Sequence, residues 1–188
     1  MSTEFYSALV SHFEALEQEL NRLDAATGDG DHGTTLVKGL RAIANDDKDA
    51  PVKVFRRAAG GASGSLFAQL IGAFDQVLHQ GNDLSAALQN AADRITQLGQ
   101  AVAGDKTMLD ALLPAAQTDS NESMTNIDAI VNAALQGADS TIDMVAKRGR
   151  ARHVENGGVG HKDAGATSVA EMLSVFAQYY PLPETDKR

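Results

Sequence analysis

Apolar residues in this chain recur at three- and four-residue steps almost from end to end, and nowhere alternate convincingly as a strand would. Phe5, Leu9, Phe13, Leu16, Leu20 and Leu23 form one stripe, and Leu36, Leu40 and Ile43 a second. That period puts side chains on one face of a helix, which must then be buried against other helices. The polar bridge 45–50 runs into Pro51, which suits the first turn of a short third helix containing Val54, Phe55 and Ala58. Ser63 is placed to cap a fourth helix carrying Leu66, Phe67, Leu70, Ile71, Phe74 and Val77. Gly81 stops that helix, and Asn82 or Asp83 can cap a fifth with Leu84, Leu88, Ile95 and Leu98. A sixth is expected from about Thr107 to Gln117, shortened or kinked by Pro114. Asp119 and Ser120 offer caps for a seventh, whose buried side reads as Ile127, Ile130, Val131, Leu135, Ile142 and Val145. Beyond the glycine-rich stretch 149–165, an eighth carries Val169, Met172, Leu173 and Phe176. The expectation is an all-α chain of about eight helices, one domain over residues 1–188, without internal repeats.

A chain of 188 residues can bury a core without disulfides or structural metals. It contains no cysteine, which removes disulfides, thiolate zinc sites and cysteine nucleophiles. Neither a signal peptide nor the roughly 18 continuous apolar residues of a membrane helix is visible, so a cytoplasmic protein without a membrane partner is expected. The net charge of −9 argues against a nucleic-acid partner. It also sets a condition on any phosphate ligand. A metal ion, or locally placed Arg, Lys and backbone N–H groups, must offset the repulsion.

Two glycine clusters, 28–33 and 60–64, each run straight into a helix. Glycines there serve either as helix caps and turns or as points where backbone approaches a ligand, with helix N-termini offering N–H groups to phosphate. Residues 28–33 match Gly-x-Gly-x-x-Gly, but a dinucleotide fingerprint needs a preceding strand, and two of the intervening residues are aspartates. Thr34 stands where a P-loop requires lysine, and Gly33 and Leu40 occupy ligand positions of an EF-hand begun at Asp29. What is left is a carboxylate cluster, Asp24, Asp29 and Asp31, which can be a solvated acidic turn or a set of hard oxygen ligands suited to Mg²⁺.

The segments Gly28-Asp29-Gly30-Asp31-His32-Gly33, Gly60-Gly61-Ala62-Ser63-Gly64, Gly104-Asp105-Lys106-Thr107-Met108, Arg148-Gly149-Arg150-Ala151 and Asp163-Ala164-Gly165-Ala166-Thr167-Ser168 occur in that order. In this set the chain resembles the ADP-binding subunits of bacterial dihydroxyacetone kinases (DhaL type). The same domain forms the nucleotide-binding half of single-chain ATP-dependent dihydroxyacetone kinases. Histidine at position 32 fits these kinases better than the related fatty-acid kinase domains, which tend to carry threonine there.

The resemblance implies an antiparallel barrel of eight helices with a nucleotide pocket at one end. It implies that Asp24, Asp29 and Asp31 hold two Mg²⁺ ions at the phosphates of ADP or ATP. His32 through Thr35 would contact the nucleotide, and Ala62 and Ser63 would meet phosphate. Gly99 and Met108 would lie by the adenine or ribose, Arg150 would supply a fixed positive charge, and Asp163 to Gly165 would close the pocket. Lys106 is read as free to pair with Asp105 or Asp110, and His153 and His161 as loop residues. No residue stands out as a base for the substrate. In the family the ketone is bound covalently through a histidine of a separate domain, so a dihydroxyacetone-binding K subunit is the expected partner. The phosphate donor is either a phosphotransferase-system phosphoprotein that recharges resident ADP, or exchanging ATP, as in a kinase for another ketose such as erythrulose. A non-catalytic nucleotide-binding regulator that contacts a transcription regulator is the competing class.

Overall fold

A computed structural model describes residues 2–118 and 127–180. It contains α1 (Ser2–Ala25), α2 (His32–Ala44), α3 (Pro51–Ala59), α4 (Gly61–Gln80), α5 (Leu84–Gly99), α6 (Leu109–Ala116), α7 (Ile127–Ser140) and α8 (Ala164–Ala177). Three short 3-10 turns lie between α7 and α8, and no strand occurs among the described residues. Each helix packs on the next, and α8 returns to α1, so the eight close into a ring. The apolar stripes point inward. Phe5, Leu9, Phe13, Leu36, Leu40, Phe67, Leu70, Ile95, Leu112, Ile130, Leu173 and Phe176 all belong to one buried cluster. Among the described residues no helix is long and apolar enough to cross a membrane.

The up-and-down order has a consequence for charge. The starts of α2, α4, α6 and α8 gather at one end of the ring, where their residues line a common cavity. A helix start carries unpaired N–H groups and a partial positive charge. At the other end Phe5, Phe74 and Phe176 interlock, with ring centroids 5.6, 5.4 and 4.6 Å apart.

Several expected boundaries shift, each for a local reason. Ser63 does not cap α4. Gly60 and Gly61 adopt positive φ of 69° and 62°, which winds the chain into the helix earlier and leaves Ser63 inside its first turn. Asp83 does cap α5, accepting the Ala86 N–H at 2.8 Å. Helix α6 starts at Leu109, because Asp110 draws the N–H groups of Gly104 and Thr107 into a knot ahead of it. Pro114 sits within α6 and has no N–H for the Asp110 carbonyl. Gly137 of α7 presses close there, since a Cβ on it would stand 2.2 Å from that oxygen.

Helix α7 ends at Ser140, whose hydroxyl, like that of Thr141, donates to a carbonyl of the last turn (2.7 and 2.6 Å). The chain then leaves the helical register, so Val145 is 56% exposed rather than buried and Ile142 is half-buried. Leu98 and Leu135, both expected in the core, are also exposed. The caps expected at Asp119 and Ser120 lie outside the described residues.

Candidate functional site

The cavity at the helix-start end has a volume of about 290 Å³. Asp24 comes from the last turn of α1, Asp29 from the following loop and Asp31 from the position before α2. One oxygen from each lies within 4.8 Å of the others. The loop is shaped by Asp24, which accepts the N–H groups of Gly30 (2.8 Å) and Asp31 (3.1 Å). Gly30 has φ of 78°, and a Cβ on Gly28 would stand 2.5 Å from the Asp24 carboxylate. Asp31 stands at the N-cap of α2 yet makes no side-chain capping bond. That sets it apart from a turn aspartate occupied with its own helix. Among the described residues the cation that pairs with the cluster is Arg150, whose guanidinium donates to Asp29 at 2.7 Å. Three converging hard oxygen donors, offset by one guanidinium, fit a divalent ion such as Mg²⁺.

His32 and Thr35 line the cavity, but Gly33 and Thr34 face α1. A Cβ on Gly33 would stand 2.3 Å from the Glu17 carbonyl oxygen. Thr34 accepts from Asn21 and donates to Glu17. Of the four residues 32–35, these two therefore lock α2 onto α1 and leave the cavity wall to the other pair. His32 is buried, bonded to the Ser168 hydroxyl of α8 at 2.9 Å and set edge-on to Phe67. Burial pushes its imidazole down to about 4, so it stands neutral at pH 7.

Ala62 and Ser63 line the cavity at the start of α4, where the first turn holds no acidic residue. Leu66, Phe67 and Met108 form an apolar wall. Gly99 is not in the lining; it is exposed at the end of α5, 3.8 Å from Leu66 as measured from a Cβ position. Arg148 and Arg150 stand at the rim, and Asp163, Ala164 and Gly165 complete the lining. Asp163 caps α8 through the Ala166 N–H at 2.7 Å, and burial raises its carboxyl to about 6.

Four supporting residues were not assigned a place from the sequence. Asp105 is buried, approaches Lys147 and Arg148 at 3.6 and 3.5 Å, and accepts the Lys147 N–H on its carbonyl, anchoring the basic rim. Asp110 makes the knot before α6. Lys106 pairs with neither of them. Its ammonium donates to the carbonyls of Thr141 and His161 at 2.5 and 2.6 Å. Thr141 is fully buried and accepts the Asp163 N–H at 2.9 Å. Asp105 and Lys106 were signalled by the Gly104–Met108 segment and Asp110 only as a possible partner of Lys106, whereas nothing local marks Thr141.

The DAK2 domain family matches residues 26–178. This chain belongs to that family. It is 32% identical to the ADP-binding subunit of the PEP-dependent dihydroxyacetone kinase of Escherichia coli, over 88% of this chain and 89% of that subunit. It is 35% identical to a D-erythrulose kinase of Mycolicibacterium smegmatis, over 88% of this chain but 33% of the kinase. The DAK2 chain thus spans about a third of the length of the erythrulose kinase. Its fold superposes on the crystal structure of the dihydroxyacetone kinase of C. freundii with a TM-score of 0.72 and 28% identity, covering 94% of this chain and 34% of that one. A second crystal structure of that kinase is a complex with AMP-PNP and Mg²⁺, with the same TM-score. The eight-helix all-α fold expected from periodicity is therefore the family's fold.

Proposed function

We propose that this DAK2 chain binds a magnesium–adenine nucleotide and passes its terminal phosphoryl group to a hydroxyl of dihydroxyacetone held by a K-subunit partner. The observation that carries this reading is the meeting, in one cavity, of a carboxylate cluster with the start of α4 and two rim arginines. Phosphoryl transfer depends chiefly on positioning and on cancelling charge at the moving group. Asp24, Asp29 and Asp31 would hold Mg²⁺, which when bound offsets the charge of the phosphates.

The protein's own groups do the rest. The N–H groups of Ala62 and Ser63 receive phosphate oxygens at the start of α4. Arg150 supplies a fixed charge at the rim, joined by Arg148. Leu66, Phe67 and Met108 take the apolar face of the base and exclude water, with Gly99 beside Leu66 at the end of α5. His32 remains neutral and, with Thr35, walls the phosphate side without adding charge. Asp163 and Gly165 close the cavity opposite.

In this reading ADP stays bound and a phosphotransferase-system phosphoprotein recharges it. The similarity to PEP-dependent kinase subunits of E. coli and Listeria innocua, over most of their lengths, supports that donor. A second reading, ATP exchange at each turnover for a ketose such as erythrulose, is favoured by the equal similarity to erythrulose kinases. Mass spectrometry of nucleotide retained through desalting separates the two. Retained ADP, together with dihydroxyacetone phosphorylation in a reconstituted phosphoprotein mixture, is the expected result. Rapid exchange with labelled ATP and ketose phosphorylation without a phosphoprotein would overturn the first reading. A chain that binds nucleotide but supports neither reaction would be a regulator.

A further inference from the structure

We propose that Lys106 is a positioning residue for the nucleotide pocket, clipping the Asp163–Gly165 wall to the end of α7. The inference rests on the nucleotide-binding reading of the cavity. Lys106 is 2% exposed, which is rare for a lysine, and its backbone has φ of 61°, a left-handed conformation that a side chain adopts when its surroundings impose it. Its ammonium is spent on two main-chain carbonyls far apart in sequence, those of Thr141 and His161. Burial disfavours its charge and lowers its pKa, and two short charge-assisted hydrogen bonds to those carbonyls compensate the lost hydration.

Each contact leads to the same wall. Thr141 accepts the Asp163 N–H on its hydroxyl, and that hydroxyl in turn donates to the Ala138 carbonyl. His161 lies two residues before Asp163. Farther along the Lys106 segment, Met108 abuts Gly165, where a Cβ would stand 3.3 Å from the Met108 Cβ. Segment 104–108 therefore acts as a template on which residues 161–165 are laid, with Lys106 as the fastening and Met108 as the contact surface. An ordinary salt bridge to Asp105 or Asp110 would not do this, because both of those carboxylates serve the near side of the same segment.

The test uses the whole chain and fluorescent ADP with Mg²⁺, well below the melting temperature of each variant. Lys106→Met should weaken nucleotide binding at least tenfold and speed amide exchange at residues 163–167 at least tenfold, while exchange in the middle of α4 stays unchanged. Lys106→Arg should not fully rescue it, because the bulkier guanidinium would have to be accommodated where Lys106 is 2% exposed. The exposed Lys53→Met, whose lysine pairs with Asp49, should bind like the wild type. A folded Lys106→Met that binds within twofold of the wild type and keeps slow exchange at 163–167 overturns the proposal. Should that variant fail to fold, Thr141→Val decides. It keeps the Lys106 bond to the carbonyl but removes the Asp163 tether, so a three- to tenfold loss with faster exchange at 163–167 is expected, and no change overturns the proposal. Wild-type protein that binds no nucleotide would sink the functional reading, and the exchange measurement would still decide the clip.

Discussion

Two short aspartate-rich loops stand at opposite ends of α2, and they are built on opposite principles. In the 46–49 loop, Asp46 accepts the N–H groups of Lys48 and Asp49, and Lys53 and Arg57 pair with Asp49 and Asp46. Backbone amides and Arg57 hold the Asp46 carboxyl below its ordinary range, and Lys53 and Arg57 do the same for Asp49. In the 24–31 loop, Asp24 takes two backbone amides, but Asp29 meets a single arginine and Asp31 makes no capping bond. Each loop carries three aspartates. In one loop two of the carboxylates are paired by cations of the helix that follows, and the other leaves carboxylate oxygens converged for an outside cation.

Substitutions can break that contrast or sharpen it. The largest effect is expected from Asp31→Asn, which should lower Mg²⁺-dependent ADP affinity at least ~100-fold, since even residues behind a metal ligand are worth ~10–100-fold. Isothermal titration at fixed Mg²⁺ would measure it, and Asp46→Asn in the same assay should bind normally. Equal behaviour of the two variants would erase the distinction between the loops.

Gly33→Ala comes next. Its methyl group would collide with the Glu17 carbonyl, prying α2 from α1, and should cost about 3 kcal/mol in urea unfolding as well as weakening nucleotide binding. The third effect is on acid stability. His32 has a folded pKa of about 4, below its ordinary value, so the unfolded chain binds the proton more tightly. The contribution is fully present above about pH 6.5 and is lost as pH falls through 4, amounting to at most about 3 kcal/mol. Unfolding free energies between pH 4 and 7 should fall toward acid in the wild type and more shallowly in His32→Gln. The smallest effect is that of Asp46→Asn on stability, a slight drop in melting temperature that high salt should abolish, because its partner is exposed.

Much of the fold was legible because helical periodicity is a local property. Phe5, Leu9, Phe13 and Leu20 of the first stripe are buried as expected, with Leu16 and Leu23 half-buried against them, and Pro51 begins α3 as its fixed φ requires. Most errors fell where the end of a helix decides, although Leu135 was misplaced on the face of α7. Val145 follows a helix stopped by hydroxyl-to-carbonyl bonds, and Ser63 entered its helix because two glycines had already begun the winding. At the candidate site, the aspartates were visible as residue types at close spacing, and the structure brings them together. The inward turn of His32 and the outward turn of Thr34 were not legible, since they depend on which neighbour each side chain meets across the ring. Lys106 was visible in its segment, but its partners lie 35 and 55 residues away, beyond the reach of any local pattern.

The interlocked phenylalanines at the far end give the ring an uneven mechanical character. Phe5, Phe74 and Phe176 join the first, fourth and last of the eight helices there, with Tyr179 adding a fourth ring 5.8 Å from Phe5. The cavity end is held by loops and by hydrogen bonds to backbone, which open at lower free energy than a packed aromatic cluster. Such a molecule behaves as a cantilever. Its rim can yield to admit a ligand or meet another protein surface while the helices stay clamped at their base, and each return to rest restores the same spacing between carboxylates and helix starts.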